Sequence, residues 1–263
     1  MPNTIWQTYK PEPEQPGFFL KIASLNFWVK KKDDEVWVAT EYKSDADPDK
    51  KPSDNSNHEV LKWARFACKN PAEDVTISPV FPDYPIIVSS EYPLRISSGS
   101  RIQIFTRIPV WVQVSLNKSG YVLTNMPSFK LSRTWFGNPL EGELCYWLST
   151  KARRKLSEID FEPYLINCPI TIINKTNDDL NFEKFCFRVD RLSIFTLNDL
   201  LWADETQIEY RGEEQNSDIA MTGKLPVNLG KGELLTKARN PVSRSFATRT
   251  FKKLFDDTFI SDL

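Results

Sequence analysis

Apolar and polar residues alternate in short runs along most of this chain, the period of a strand with one buried face rather than of a helix. From Gly17 to Tyr42, Phe19, Leu25, Phe27 and Val29 precede the charged segment KKKDDE, and Val36 to Thr40 follow it, which predicts a hairpin. Residues 44–57 hold one apolar residue, Ala46, among turn formers, and predict a surface loop. EVLKWARFACK suits either a helix or a strand, and is read as a strand because its surroundings are strands. Short β-branched and aromatic runs then carry Ile86, Val88, Leu94, Ile96, Ile102, Ile104, Trp111, Val112 and Val114, punctuated by Pro93, SSGS, Pro109 and NKSG. ELCYWLST predicts another strand. Apolar runs on either side of NKTNDD predict a hairpin, and two more strands flank LNDL.

About twelve to fourteen strands are expected. Their spacing predicts a mostly β protein, a two-layer antiparallel β-sandwich, built either as one extended unit or as two tandem jelly-roll or immunoglobulin-like units. The expected division is an N-terminal half at 1–120, a second β half at 121–230 and a basic tail at 231–263. In the tail Phe251, Leu254, Phe255 and Phe259 recur at three and four residues, which predicts a C-terminal amphipathic helix over SFATRTFKKLFDDTFISDL. Lys231 to Phe255 is strongly basic and Lys175 to Ile219 strongly acidic, so the two are expected to meet.

Composition narrows the chemistry. The 17 Phe, 8 Tyr and 8 Trp place the chain among globular proteins. Its 4 cysteines, Cys68, Cys145, Cys168 and Cys186, are far apart without a CxxC and predict reduced, buried thiols. Neither a signal peptide nor a transmembrane segment is evident, and the chain is expected in the cytoplasm. The 1 histidine, His58, is expected in a solvated loop, leaving no second imidazole for a triad or an HExxH metal site. With 9 glycines and no GxxxxGK[ST], GxGxxG or GxSxG, nucleotide-dependent enzymes, dehydrogenases and serine hydrolases of the usual kinds are disfavoured. No cofactor is expected.

The densest constellation is residues 132–155. Gly137, Asn138, Pro139 and Gly142 punctuate aromatic positions, and a strand from Glu143 puts Glu143, Cys145 and Trp147 on one face. Arg133, Trp135, Glu141, Glu143 and Trp147 are the candidate binding residues, a sugar being the usual match for an exposed indole beside carboxylates. The opposing reading makes Trp147 core and Arg133 the partner of a glutamate. KARRK at 151–155 adds Arg153 and Arg154 as candidate phosphate contacts, although a net charge of −1 gives no strong nucleic-acid signal. Paired carboxylates, Glu141 with Glu143 or Asp204 with Glu205, are the catalytic device the composition leaves open.

The stretches RIPVWVQV, SRTWFGNPLEGELCYWLSTKARR, NCPITIINKT and LLWADETQIEYRGE, with the aromatic basic C-terminus, resemble an uncharacterised bacterial and archaeal family, domain of unknown function four-three-two. The TWFG…GELCYW block is the most distinctive part. The resemblance implies a mostly β intracellular protein and carries no reaction, cofactor or catalytic residue with it. The expected function is that of a non-enzymatic binding or interaction protein, with a protein partner engaged through the C-terminal helix. A carboxylate-based carbohydrate-active enzyme is one alternative. A binder of nucleic acid or membrane through KARRK and the tail is the other.

Overall fold

The computed structural model describes residues 5–11, 17–43, 61–69, 74–140, 142–158, 161–212, 216–241, 245–248 and 250–252. These are mostly β. In chain order the strands are β1 (Thr8–Tyr9), β2 (Gly17–Ile22), β3 (Leu25–Lys32), β4 (Glu35–Tyr42), β5 (Trp63–Ala67), β6 (Val75–Val80) and β7 (Ile86–Ile96). Next come β8 (Arg101–Pro109), β9 (Trp111–Leu116), β10 (Val122–Pro127), β11 (Arg133–Phe136), β12 (Glu143–Ala152), β13 (Leu165–Asn174) and β14 (Leu180–Phe187). The last are β15 (Ile194–Leu197), β16 (Leu200–Ala203), β17 (Thr206–Tyr210), β18 (Ser217–Met221), β19 (Glu233–Thr236), β20 (Phe246–Thr248) and β21 (Phe251–Lys252). The count exceeds the expectation because β1, β11 and β19 to β21 are shorter than an alternating pattern needs to declare itself.

Two compact units divide the chain: residues 1–80 with 111–130, and residues 81–110 with 131–263. The first unit holds two wholly antiparallel sheets, β1-β6-β9-β10 and β2-β3-β4-β5. Each buries one face: Val75, Ile77, Val112 and Val114 in the first, and Leu25, Phe27, Val29, Val36 and Val38 in the second. Every one of these follows period-two alternation, and each buried side chain stabilises the fold by about 1.5–3 kcal/mol. Stacking of Tyr9 on Phe18, with centroids 4.2 Å apart, joins the sheets, as does a 2.7 Å bond donated by Ser24 Oγ to the Ser128 carbonyl.

The second unit holds a five-stranded sheet, β11-β12-β7-β14-β21, and an eight-stranded one centred on β13. One edge of β13 is paired along its length by β8; the other is shared by β16 and β17. Strand β13 is buried at nine of its ten positions, as a strand covered on both faces should be, and its buried polar residues Asn167, Thr171 and Asn174 each hold a side-chain hydrogen bond. Antiparallel pairing dominates, but β7 with β12, and β13 with β16 and with β17, run parallel.

Several expectations are corrected. The apolar runs around NKTNDD form no hairpin, because β13 and β14 belong to different sheets. The turn carries the chain from one sheet to the other: Asn174 donates its side-chain amide to the carbonyls of Ile96 and Asp178 and accepts from the Thr176 amide, occupying groups a hairpin would pair. Pro93 lies within β7 instead of ending it, at the interruption where pairing with β14 shifts register. The described part of the predicted C-terminal helix is strand. Strand β20 pairs with β18, and β21 pairs with β14, since open sheet edges supply backbone partners that outweigh a helical stripe. Residues 253–263, which carry most of that stripe, lie outside the described residues, as do His58 and the loop expected at 44–57. The basic segment does meet the acidic one, through β19 on β15, β20 on β18 and β21 on β14.

Candidate functional site

Strands β11 and β12 form a hairpin whose register decides the placement of every candidate side chain. Trp135 lies opposite Leu144, and Phe136 opposite Glu143. Cross-strand partners share a face, so Trp135 and Arg133 belong with Leu144 and Tyr146, whereas Glu143, Cys145 and Trp147 occupy the other face. The structure thus separates two groups that the sequence put together.

On the first face, Trp135 is half exposed at 50% and donates from Nε1 to the Asn138 carbonyl at 3.0 Å. Its indole lies on Gly142, where a Cβ would fall 2.1 Å from Nε1. Asn138 Oδ1 accepts from the Leu140 amide, closing the turn. The glycine is required by this close approach, not by its φ. Arg133 places its guanidinium 5.8 Å from the centre of the Tyr84 ring. Beside it, Tyr146 donates to Asp83 at 3.0 Å, and burial first, then that bond, push the phenol up to about 12. Among the described residues Arg133 lies against the Tyr84 ring and forms no ion pair with a glutamate.

On the second face, Ile87, Phe136, Cys145 and Cys186 form a small buried cluster. The Cys145 and Cys186 sulfurs lie 3.8 Å apart, and Cys186 Sγ is 3.5 Å from Glu143 Oε1. The Cys186 thiol, hydrogen-bonded and buried, is pushed far up, and that bond holds Cys145 below the ordinary thiol value. Glu143 is ion-paired with Arg188. Trp147 is 38% exposed with the Lys184 ammonium 5.2 Å from its ring centre. It is neither fully core nor bare. Glu141 lies outside the described residues.

Further along the same two strands, a cleft of about 680 Å³ is lined by Ser90, Glu91, Tyr92 and Leu94 of β7 and by Ala152 to Lys155. Arg153 is fixed there twice. Its backbone exchanges bonds of 2.9 and 2.8 Å with Phe105 of β8, and its guanidinium lies 3.2 Å from Glu91. Arg154 is exposed at the cleft, and Tyr92 is nearly bare. KARRK is thus the end of a strand laid along an open groove.

Lys184, Arg188, Glu91 and Tyr92 escaped the sequence reading because β7 and β14 are remote in sequence from β12. A second face that it missed lies on β2 to β5, where Trp28, Lys30 and Lys32, and Trp63 and Arg65, alternate at period two. That alternation is the signal that could have found it. Of the carboxylates considered as pairs, Asp204 is buried and accepts backbone amides, and Glu205 accepts from Thr171 Oγ1 at 2.7 Å. Among the described residues no cluster of three His, Cys, Asp or Glu side chains is placed to hold a metal ion. None of their helices is long and apolar enough to cross a membrane.

The model of the family described as "Protein of unknown function (DUF432)" matches residues 5–256, and the chain belongs to that family. No curated protein and no solved structure matches it.

Proposed function

We propose that this DUF432 chain is a non-enzymatic binding protein of the cytoplasm, built of two-layer β-sandwiches, that engages an acidic segment of a partner protein along β7 and β12. The observation that carries the reading is the groove itself: Arg153, Arg154 and Lys155 line it beside Tyr92, and Trp147 stands exposed on the same strand pair. Trp, Tyr and Arg are the residues that dominate binding energy at protein interfaces, and guanidinium groups match carboxylates with two bonds at once. Binding is favoured over hydrolysis because Glu143, Asp204 and Glu205 are each committed to structural partners. The sandwich reading is supported by two sheets in each unit, each with a buried face. Cytoplasmic residence is supported by four free cysteines, two of them with sulfurs in contact.

The test is a peptide library rich in Asp and Glu, panned on the purified chain and on the R153E/R154E and W147A variants. Retained peptides should bind each variant at least about tenfold more weakly, a loss of about 1.4 kcal/mol, and should dissociate with added salt. Equal retention by all three proteins would remove the groove from consideration.

A further inference from the structure

The second sheet of the first unit has one face in the core; on the other Phe19, Lys21, Lys32 and Arg65 are exposed, Lys30, Trp37 and Trp63 half-buried, and Asn26, Trp28 and Ala39 buried. Register places Phe19, Trp28, Ala39 and Trp63 in one row across β2 to β5, and Gly17, Lys30, Trp37 and Arg65 in the next. Lys32 and Glu35 lie opposite each other in the row beyond. A row in which Lys30 and Arg65 flank Trp37 therefore lies beside a row of Phe19, Trp28 and Trp63. The Lys30 ammonium sits 4.1 Å from the ring centre of Trp63 and 4.6 Å from that of Trp37. The Arg65 guanidinium is 4.7 Å from the Trp37 ring, and Lys32 5.7 Å.

Glu35 organises the group. It accepts from Trp37 Nε1 at 2.7 Å and from Arg65 at 2.8 and 2.9 Å, which locks the indole and lays the guanidinium along it. Arg65, foremost of its partners, draws the Glu35 carboxyl below its ordinary value. Among the described residues no carboxylate forms an ion pair with Lys30 or Lys32, so their charges remain available to an anion. Phe19 is 43% exposed at the other side of the face, and Lys21 follows two residues later on the same side.

We propose that this face binds single-stranded nucleic acid, with bases stacking on Trp37, Trp63 and Phe19 and phosphates meeting Lys30, Lys32 and Arg65. A four-stranded sheet with aromatic rings on an open face is a recurrent platform for splayed bases, and interleaved cations track the backbone between them. The Trp37 and Trp63 rings meet edge to face, with centroids 6.3 Å apart and planes at 61°, and Lys30 lies against both; a phosphate that draws the ammonium away frees indole faces turned in two directions, as splayed bases require. Charge chooses this occupant over a neutral glycan: Lys30, Lys32 and Arg65 outnumber Glu35 around the rings, an excess that a polyanion neutralises and an uncharged sugar does not. Global charge conceals the site, because the chain sums to −1 while this face is locally positive.

The test uses the full chain and fluorescein-labelled oligothymidine of about 15 nucleotides, within the site size of one such platform. Anisotropy should report binding that weakens steeply between about 50 mM and about 200 mM salt. W37A and W63A should each weaken it about tenfold or more. K30A and K32A should each lower the salt slope by about 0.7. Lys32 is exposed, so its variant keeps the test valid should a tryptophan variant misfold. R153E/R154E should bind as wild type does, separating this face from the groove on β7 and β12. A duplex of the same length bound equally well, a neutral glucan bound in preference, or affinity unmoved by W63A and K32A would each overturn the proposal.

Discussion

Asp204 shows how a single buried side chain can be misjudged from its neighbours in sequence. Beside Glu205 it reads as half of a carboxylate pair, but Oδ1 accepts the Ser193 amide at 2.7 Å and Oδ2 the Gly223 amide at 3.1 Å, tying two loops together. Burial raises its pKa, and the amides only partly oppose this. A folded pKa above the unfolded one means that the contribution to stability is full below the ordinary carboxylate value and is lost as pH rises through the raised one. Asn at this position keeps one acceptor and turns an N–H toward a second N–H. D204N should therefore cost about 1–3 kcal/mol at neutral pH in urea unfolding. The wild-type advantage over D204N should shrink as pH rises through that window and then level off; an advantage that grows with pH would contradict the assignment. Nothing in the dipeptide Asp204-Glu205 foretells any of this, because the amides it serves lie 11 and 19 residues away.

At the scale of elements, legibility followed locality. The hairpins β3–β4 and β15–β16 were readable because alternating runs flank a tight turn, and Asn198 and Asp199 take the positive φ values of 53° and 61° that such a turn requires. Strand β12 was readable for the same reason, and with it the shared face of Glu143, Cys145 and Trp147. What β12 would meet was not, since Cys186, Lys184 and Arg188 arrive through β14, beyond an intervening β7. The basic tail failed differently: its apolar spacing favours a helix in isolation, and only the open edges of β14 and β18 convert it to strand. This predicts a role for the tail that does not depend on a partner. Truncation before Ser245 removes β20 and β21, strips the Cys186 amide of its 2.8 Å bond to the Thr250 carbonyl, and exposes two strand edges. The truncated chain should self-associate by light scattering, with faster amide exchange at 184–186 and 217–219. A monomer with unchanged exchange would show that these edges are protected by something else.

For the molecule as a whole, chain order and sheet order are decoupled, which explains why alternating patterns disclose the strands but not their partners. Residues 81–110 stand between two stretches of the first unit yet supply β7 and β8 to the second, where β7 separates β12 from β14 and β8 covers an edge of β13. Cutting the chain between 130 and 131 would leave one fragment with Ile86, Val88 and Ile104 unburied, and the other without the middle of its sheet. A different excision follows from the register of β6 and β9. Val80 and Trp111, the last residue before the excursion and the first after the return, are direct cross-strand partners. Partners in an antiparallel ladder stand about 4.5–5.5 Å apart at Cα, which a two-residue Asn-Gly turn spans. Replacing residues 81–110 by Asn-Gly, in a chain ending at Lys130, keeps the eight strands described in the first unit and converts β6–β9 into a hairpin. That protein should be soluble and unfold in urea in one cooperative transition, because both its sheets retain their buried faces. A broad, non-cooperative transition would show that the first unit depends on the rest of the chain for its stability.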